Sequence, residues 1–305
     1  MMMDKTSRSS GRPSPPVPHS VDPLRRFLQN IIGRLPAVRA RDEHAKNLAD
    51  ELSMCRKELS LYRAQLADTR SAISAVKWGG FIPPYRGGAL TGDEQRVADQ
   101  FHELYYRLGQ GDRYTYHIAW LGYSVLKCPL DLWIYQELIS RLQPEFIIET
   151  GTASGGSALF LASMCELIGR GRVLTIDIDA RERQRLPIHP RIEYLSGSSI
   201  DQAVMARVHE ELGGKQAGLV ILDSDHHRDH VLAEMSLFAP LVSPGGYLVV
   251  EDTNINGHPA YPDFGPGPME AVRSFLSRNA AFQVDTGCER FILTMNPGGF
   301  LRRVS

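Results

Sequence analysis

Cysteine is scarce in this chain and scattered. Its 305 residues hold four, Cys55, Cys128, Cys165 and Cys288, far apart and with no C-x-x-C pair. Neither a disulfide framework nor a thiolate zinc knuckle is compatible with that, and a reducing cytoplasmic setting is expected. Long apolar runs are missing too: nothing approaches the roughly 18 residues a spanning helix needs. The basic start MMMDKTSRSSGRPSPPVPHS leads into no apolar stretch, so neither membrane insertion nor export is signalled. An excess of one charge is also lacking, since 34 Lys+Arg stand against 35 Asp+Glu for a net charge of -1. Bulk attraction to nucleic acid is therefore not expected. No internal repeat is present, which leaves a globular protein of one large domain or two ordinary ones.

Three stretches differ in composition. Residues 1–35, rich at the start in Ser, Pro and Arg, are read as a disordered tail. Residues 36–78 are read as helical. Within them Leu48, Leu52, Cys55, Leu59, Tyr62, Leu66, Thr69 and Ile73 alternate steps of four and three, a 3.5-residue period. A self-associating coiled coil over residues 45–73 is expected, the alternative being a helix packed on the rest of the chain. Gly79, Gly80, Pro83, Pro84, Gly87 and Gly88 then mark a linker, and residues 79–305 are assigned to one catalytic domain. Thr91 and Glu94 form a capping-box pair ahead of a helix to about Leu108, and a second helix is expected over 130–142.

After Pro144 short apolar runs alternate with helical stretches, the pattern of a doubly wound α/β parallel sheet. Strands are expected at 146–148, 173–176, 192–195, 219–222 and 247–250. Phe282–Asp285 and Phe291–Met295 are expected to close the sheet as a hairpin.

The first of these strands ends in Glu149-Thr-Gly151-Thr-Ala-Ser-Gly155-Gly156-Ser157 and enters a helix. Such a turn presents free backbone N–H groups to a ligand. Ala153 occupies the place of the second glycine of the dinucleotide fingerprint, and Glu149 suits a ligand carrying an amine better than one carrying phosphates. Asp177 ends the next strand, 26 residues after Gly151 and beyond the roughly 20 of the dinucleotide motif, where it can accept hydrogen bonds from ribose hydroxyls. Gly197, Ser198 and Ser199 follow the third strand and suit an adenine edge. Plain turn chemistry explains each glycine singly; three turns at one sheet edge point to a nucleoside.

Asp223 closes the fourth strand and Glu251-Asp252 the fifth. In a doubly wound sheet these strands are neighbours, so the three carboxylates converge and repel unless a cation such as Mg2+ sits among them. A hydroxyl bound to that cation loses its proton more readily, and His226 is the candidate general base. Two alternatives stay open at this point: helix-capping acids beside an exposed histidine, and a zinc site from His226 and His230 four residues apart. His227 and Asp225 receive no role.

The segment Pro129-Leu-Asp-Leu-Trp-Ile-Tyr-Gln136, the Glu149-Thr-Gly151 turn, Asp223-x-x-His226, Glu251-Asp252, Gly265-Pro-Gly-Pro268 and Asn296-Pro-Gly-Gly-Phe-Leu-Arg302 together resemble the cephalosporin hydroxylase family. Its members are similar to class I S-adenosylmethionine-dependent O-methyltransferases, including macrolide-sugar and rhamnosyl methyltransferases. The resemblance spans about residues 110–303. It implies a Rossmann-like seven-stranded methyltransferase sheet with the last strand antiparallel. It also implies magnesium on Asp223, Glu251 and Asp252, with His226 as base. S-adenosylmethionine would be bound through Glu149, Gly151, Ser157, Asp177 and Ser198. The acceptor it implies is a hydroxyl of a sugar, glycoside or polyoxygenated natural product. Gly265–Pro268 would form part of a mobile segment over the substrate, or a plain connection. Tyr116, His117 and Trp120 are pocket candidates or core aromatics. An NAD-dependent oxidoreductase, and a catalytically silent nucleoside-binding assembly protein, are the competing functions.

Overall fold

The computed structural model describes residues 23–32, 35–75, 89–109, 118–179 and 185–305. The chain divides into two units near Thr69. The first contains α1 (Pro23–Ile32) and most of α2 (Pro36–Ala75). The tail expected over 1–35 is thus corrected: ten of its residues are helical. Proline at the first helical position pre-sets φ and gives up an N–H that would have no partner there. Leu24, Phe27, Leu28, Ile31 and Ile32 then recur at helical spacing, a period hidden by the Ser/Pro-rich stretch before them. At 1.5 Å per residue, the 40 residues of α2 span about 60 Å. Its described side chains from residue 43 to 65 are all exposed. The linker around 79–88 lies outside the described residues.

The second unit takes in the end of α2 and then α3 (Gly92–Gly109), capped as expected: Glu94 N–H donates to Thr91 Oγ1 at 3.3 Å and Thr91 N–H to Glu94 Oε2 at 2.8 Å. A small hairpin follows, β1 (Ile118–Trp120) and β2 (Tyr123–Val125), turning through Leu121 and Gly122 with both at positive φ. That is the geometry a two-residue hairpin loop requires. Then come α4 (Pro129–Leu142), β3 (Phe146–Thr150), α5 (Gly156–Leu167), β4 (Arg172–Asp177), β5 (Ile192–Ser196), α6 (Gln202–Leu212), β6 (Ala217–Leu222), α7 (Arg228–Phe238), β7 (Val242–Val250), α8 (Pro268–Leu276), β8 (Phe282–Val284) and β9 (Phe300–Arg303).

The strands form one seven-stranded sheet in the order β5-β4-β3-β6-β7-β9-β8. β9 runs antiparallel to both neighbours and the other pairings are parallel. This is the α/β arrangement expected of a class I methyltransferase sheet. Its central strands are apolar on both faces because helices cover both. Ile147 packs in a core with α4 and α5, while Ile148 packs in one with α6, α7 and α8. Each such fully buried aliphatic side chain contributes about 1.5–3 kcal/mol.

The expected closing hairpin is corrected in its second arm. β8 pairs with Phe300–Arg303, and residues 291–295 form no strand. Asp131 draws that segment away: its Oδ2 accepts from Met295 N–H at 2.9 Å and its Oδ1 from the Thr294 hydroxyl at 2.6 Å. The peptide N–H of Met295 therefore goes to a side chain on α4 instead of to a neighbouring strand.

Candidate active site

The central carboxyl edge of the sheet is drawn together by one glycine. Gly151 has φ +84°, and a Cβ there would stand 1.8 Å from the carbonyl oxygen of Asp223. Only glycine lets the turn after β3 lie against the end of β6 in that conformation. Asp223 N–H then donates to both the carbonyl and the hydroxyl oxygen of Thr150, each at 3.1 Å, and Glu251 N–H to the Leu222 carbonyl at 3.0 Å. The ends of three adjacent strands are held in register.

On this edge one ligand atom each from Asp223, His226 and Asp252 lie within 4.8 Å of one another. His226 Nε2 is 3.2 Å from Asp252 Oδ2, and both side chains are about a third exposed. Asp252 has φ +55°, a left-handed conformation that costs a non-glycine residue about 1–3 kcal/mol. The Asn296 amide oxygen holds it there by accepting Asp252 N–H at 2.9 Å. Burial, with Glu251 and Asp252 close by, raises the Asp223 carboxyl well above its ordinary range despite the counteracting Lys127. Burial also raises Asp252, with His226 opposing the shift. Carboxylates so strained toward protonation are what a cation would relieve.

Glu251, expected as a third metal ligand, stands beside this cluster without joining it. It turns inward at 3% exposure, and its Oε1 accepts from Lys127 Nζ at 2.8 Å and from the Tyr135 hydroxyl at 2.5 Å. Lys127 Nζ also donates to Asp223 Oδ2 at 2.6 Å. Burial works against the Lys127 ammonium, but Asp223, Glu251 and Glu149 together lift its pKa well above that of ordinary lysine. Tyr135 in turn accepts from Asn296 Nδ2 at 3.4 Å, and Asn296 N–H donates to Thr294 Oγ1 at 3.0 Å. A continuous buried network thus runs from Asp131 on α4 to Asp223. Sequence reasoning had missed Lys127, and had noted Asp131, Tyr135 and Asn296 only as parts of motifs. The signal for Lys127 was a single ammonium in the otherwise apolar Val125-Leu-Lys-Cys-Pro-Leu130.

The residues assigned to a nucleoside fall on the same edge with different exposures. Glu149 is fully buried; its Oε2 accepts the Thr175 hydroxyl at 2.8 Å, while its Oε1 has no hydrogen-bond partner. Burial raises its pKa against the opposing pull of Lys127 and of the Ser157 and Thr175 hydroxyls. Ser157, buried in the first turn of α5, therefore faces Glu149. Asp177 ties the end of β4 to the glycine-rich turn, with Ala153 N–H donating to Oδ2 at 2.9 Å and Asp179 N–H to Oδ1 at 2.8 Å. Ser198 follows β5 and accepts Asp201 N–H on its carbonyl at 3.0 Å. The glycines after Gly151 answer to packing: a Cβ on Gly155 would meet Pro187 at 2.6 Å, and one on Gly156 the Ser124 carbonyl at 2.0 Å.

The zinc alternative is not assembled. His226 precedes α7 and shares no helix face with His230, whose Nε2 lies near the hydroxyls of Ser224 at 3.2 Å and Ser199 at 3.3 Å. His227 pairs with Asp225 at 2.6 Å in the exposed turn. Within Gly265–Pro268, the Pro266 carbonyl accepts Arg228 N–H and Gly267 N–H donates to Glu270. Trp120 packs edge-on to Phe160 and donates to Ser163 Oγ at 2.9 Å, which makes it part of the packing against α5. Tyr116 and His117 lie outside the described residues.

Residues 112–304 match the family described as Rhamnosyl O-methyltransferase/CmcI. The chain belongs to that family. Among its relatives, the rhamnosyl O-methyltransferase of Mycobacterium tuberculosis (strain ATCC 25618 / H37Rv) is 41% identical over 218 residues, 68% of this chain and 85% of that protein. The rhamnosyl O-methyltransferase of Mycobacterium leprae (strain TN) is 38% identical over 222 residues, 71% of this chain and 94% of that protein. The solved CmcI-N160 apo-structure shares 21% identity and a TM-score of 0.49, over 74% of this chain and 90% of that one. In this member of the Rhamnosyl O-methyltransferase/CmcI family, the matched span covers the whole seven-stranded sheet and leaves α1, α2 and α3 outside it.

Proposed function

We propose that the chain is a metal-dependent O-methyltransferase that carries the methyl group of S-adenosylmethionine to a hydroxyl of a sugar, glycoside or similar polyoxygenated small molecule. The observation that carries this reading is the meeting of Asp223, His226 and Asp252 at the carboxyl edge of the sheet, beside the turn after β3. The names of the relatives above, all rhamnosyl O-methyltransferases, support a sugar hydroxyl as acceptor.

The donor set suits a hard divalent cation, because oxygen ligands outnumber nitrogen. Asp223 and Asp252 would hold Mg2+, with Glu251 behind them fixed by Lys127. When bound, the cation supplies Lewis acidity that lowers the pKa of a ligated hydroxyl. With oxygen ligands preferred by the metal, His226 is left to accept the acceptor's hydroxyl proton, and Asp252 at 3.2 Å stabilises the imidazolium that results. On the donor side, the unpartnered Oε1 of Glu149 suits a group that brings an N–H donor. Asp177 would accept from the ribose hydroxyls and Ser198 would border the adenine. Alignment of donor methyl and acceptor oxygen by these fixed strand ends would supply much of the acceleration. His226→Gln should lower kcat about 10²–10⁴-fold while leaving donor affinity near that of the parent; a kcat unchanged within about threefold would remove the histidine from the reaction.

Residues 36–78 enter the proposal as the oligomerising segment and 79–305 as the catalytic part. What supports the first is the seam of α2, whose Leu48, Leu52, Leu59 and Tyr62 are 51–66% exposed. No helix among the described residues is long and apolar enough to cross a membrane.

A further inference from the structure

The helix α1 has two faces of opposite character. Leu24, Phe27, Leu28, Ile31 and Ile32 follow the i, i+3, i+4, i+7, i+8 spacing and share an arc of about 140° at 3.6 residues per turn. Leu35 continues the stripe past the helix end. Positions 25, 26, 29 and 30, occupied by two arginines, a glutamine and an asparagine, fill the opposite arc. The apolar face is uncovered: Leu24 is 64% exposed, Phe27 63%, Leu28 49%, Ile31 47%, Ile32 51% and Leu35 51%. Ten residues are too few to be a stable helix in water alone and about half of what a membrane span requires. Such a segment needs a surface to lie on.

Charge decides which surface. From residue 23 to 41 the chain carries five arginines, Arg25, Arg26, Arg34, Arg39 and Arg41, and no acidic residue, with Asp22 just before the run and Asp42 and Glu43 just after it, within a protein whose net charge is -1. The overall neutrality hides a local cationic run in the sequence of α1 and the start of α2. A second copy of the segment would meet it with five like charges, and the arc is wider than the narrow seam of a two-stranded coil. An anionic bilayer offers both the hydrocarbon boundary for the leucines, isoleucines and phenylalanine and the negative potential for the arginines. We propose that α1 is an interfacial helix that docks the protein, without spanning, on the surface of a membrane containing anionic phospholipid.

The test is co-sedimentation of the full-length chain with large vesicles of pure phosphatidylcholine and with vesicles about one third phosphatidylglycerol. The parent should pellet with the anionic vesicles at least about tenfold more strongly than with the neutral ones at low salt, and lose that preference as salt screens the arginines. Phe27→Glu with Ile31→Glu should weaken binding about tenfold or more without shifting the melting of the sheet-bearing unit. Arg25→Gln with Arg26→Gln should weaken binding to anionic vesicles and leave the weak binding to neutral ones unchanged. Absence of pelleting with the anionic vesicles, equal pelleting of the Phe27/Ile31 variant, or a smaller oligomer for that variant by light scattering without vesicles would each overturn the proposal. The last result would show that a second copy covers the face.

Discussion

Replacing Lys127 by methionine removes one positive charge and little volume from a place where two carboxylates depend on it. The ammonium stands 2.6 Å from Asp223 Oδ2 and 2.8 Å from Glu251 Oε1, with its side chain 2% exposed and that of Glu251 4%. Breaking a buried ion pair from one side costs about 3–5 kcal/mol, and here Glu251 would keep only the Tyr135 hydroxyl and Asp223 only partial contact with water. For a unit of this size each kcal/mol corresponds to about 2–4 °C, so Lys127→Met should lower the Tm by about 6–20 °C in EDTA. The pH dependence has a definite sign. Asp223 already has a folded-state pKa raised above its unfolded value, and loss of the ammonium raises it further. A raised carboxylate is cheap to bury when protonated and costly when ionised, so the deficit of the variant should be smaller at pH 5 than at pH 8. Lys127 itself, with its pKa raised, stays charged in both states across that window and contributes no slope of its own. Added Mg2+ should recover part of the loss by replacing the missing charge near Asp223. Melts followed by circular dichroism at both pH values, with and without Mg2+, give the answer. A variant that melts with the parent in EDTA, or that loses the same amount at both pH values, refutes the assignment of Lys127 as the internal counter-charge.

Asp131 offers a second pH test. Burial pushes its carboxyl up to about 7, against the opposing bonds from Thr294 and Met295. Its contribution to stability is therefore present below the unfolded value near 4 and fades as pH rises through 7, so Asp131→Asn should flatten the stability profile between pH 5 and 8, as read by urea midpoints; a profile parallel to the parent's would contradict this. For the N-terminal helix, a chain lacking residues 1–78 should run as a smaller species than the parent in light scattering, and an unchanged number of subunits would remove the coiled coil from the account.

Much of the sheet was legible because its strands are short apolar runs bounded by turn residues, and parallel strands buried on both faces leave that mark. Strand ends carrying Asp223 and Asp252 were legible for the same reason: a carboxylate placed directly after an apolar run must lie at the sheet edge. What lay beyond reach depends on contacts between residues far apart in the chain. Lys127 meets Asp223 and Glu251 across 96 and 124 residues, and no local pattern announces such a pair. Phe291–Met295 carries the composition of a strand, yet Asp131, 164 residues earlier, claims the N–H of Met295. In α1 the periodic signal was present but short, and composition averaged over residues 1–35 concealed it. Gly155 and Gly156 show the converse: their place in a glycine-rich turn reads as ligand approach, while Pro187 and Ser124 are what forbid a side chain there.

Asp223 and Asp252 are proposed to form a metal-supported site for methyl transfer to a sugar hydroxyl. The most direct test is transfer of labelled methyl from S-adenosylmethionine to a panel of rhamnosides by the parent and by Asp223→Ala, first in EDTA and then with Mg2+ restored. No transfer by either protein is expected in EDTA, with recovery by the parent alone when Mg2+ returns and retained donor binding by the variant. Full transfer in EDTA, or recovery by Asp223→Ala equal to that of the parent, would contradict the proposal.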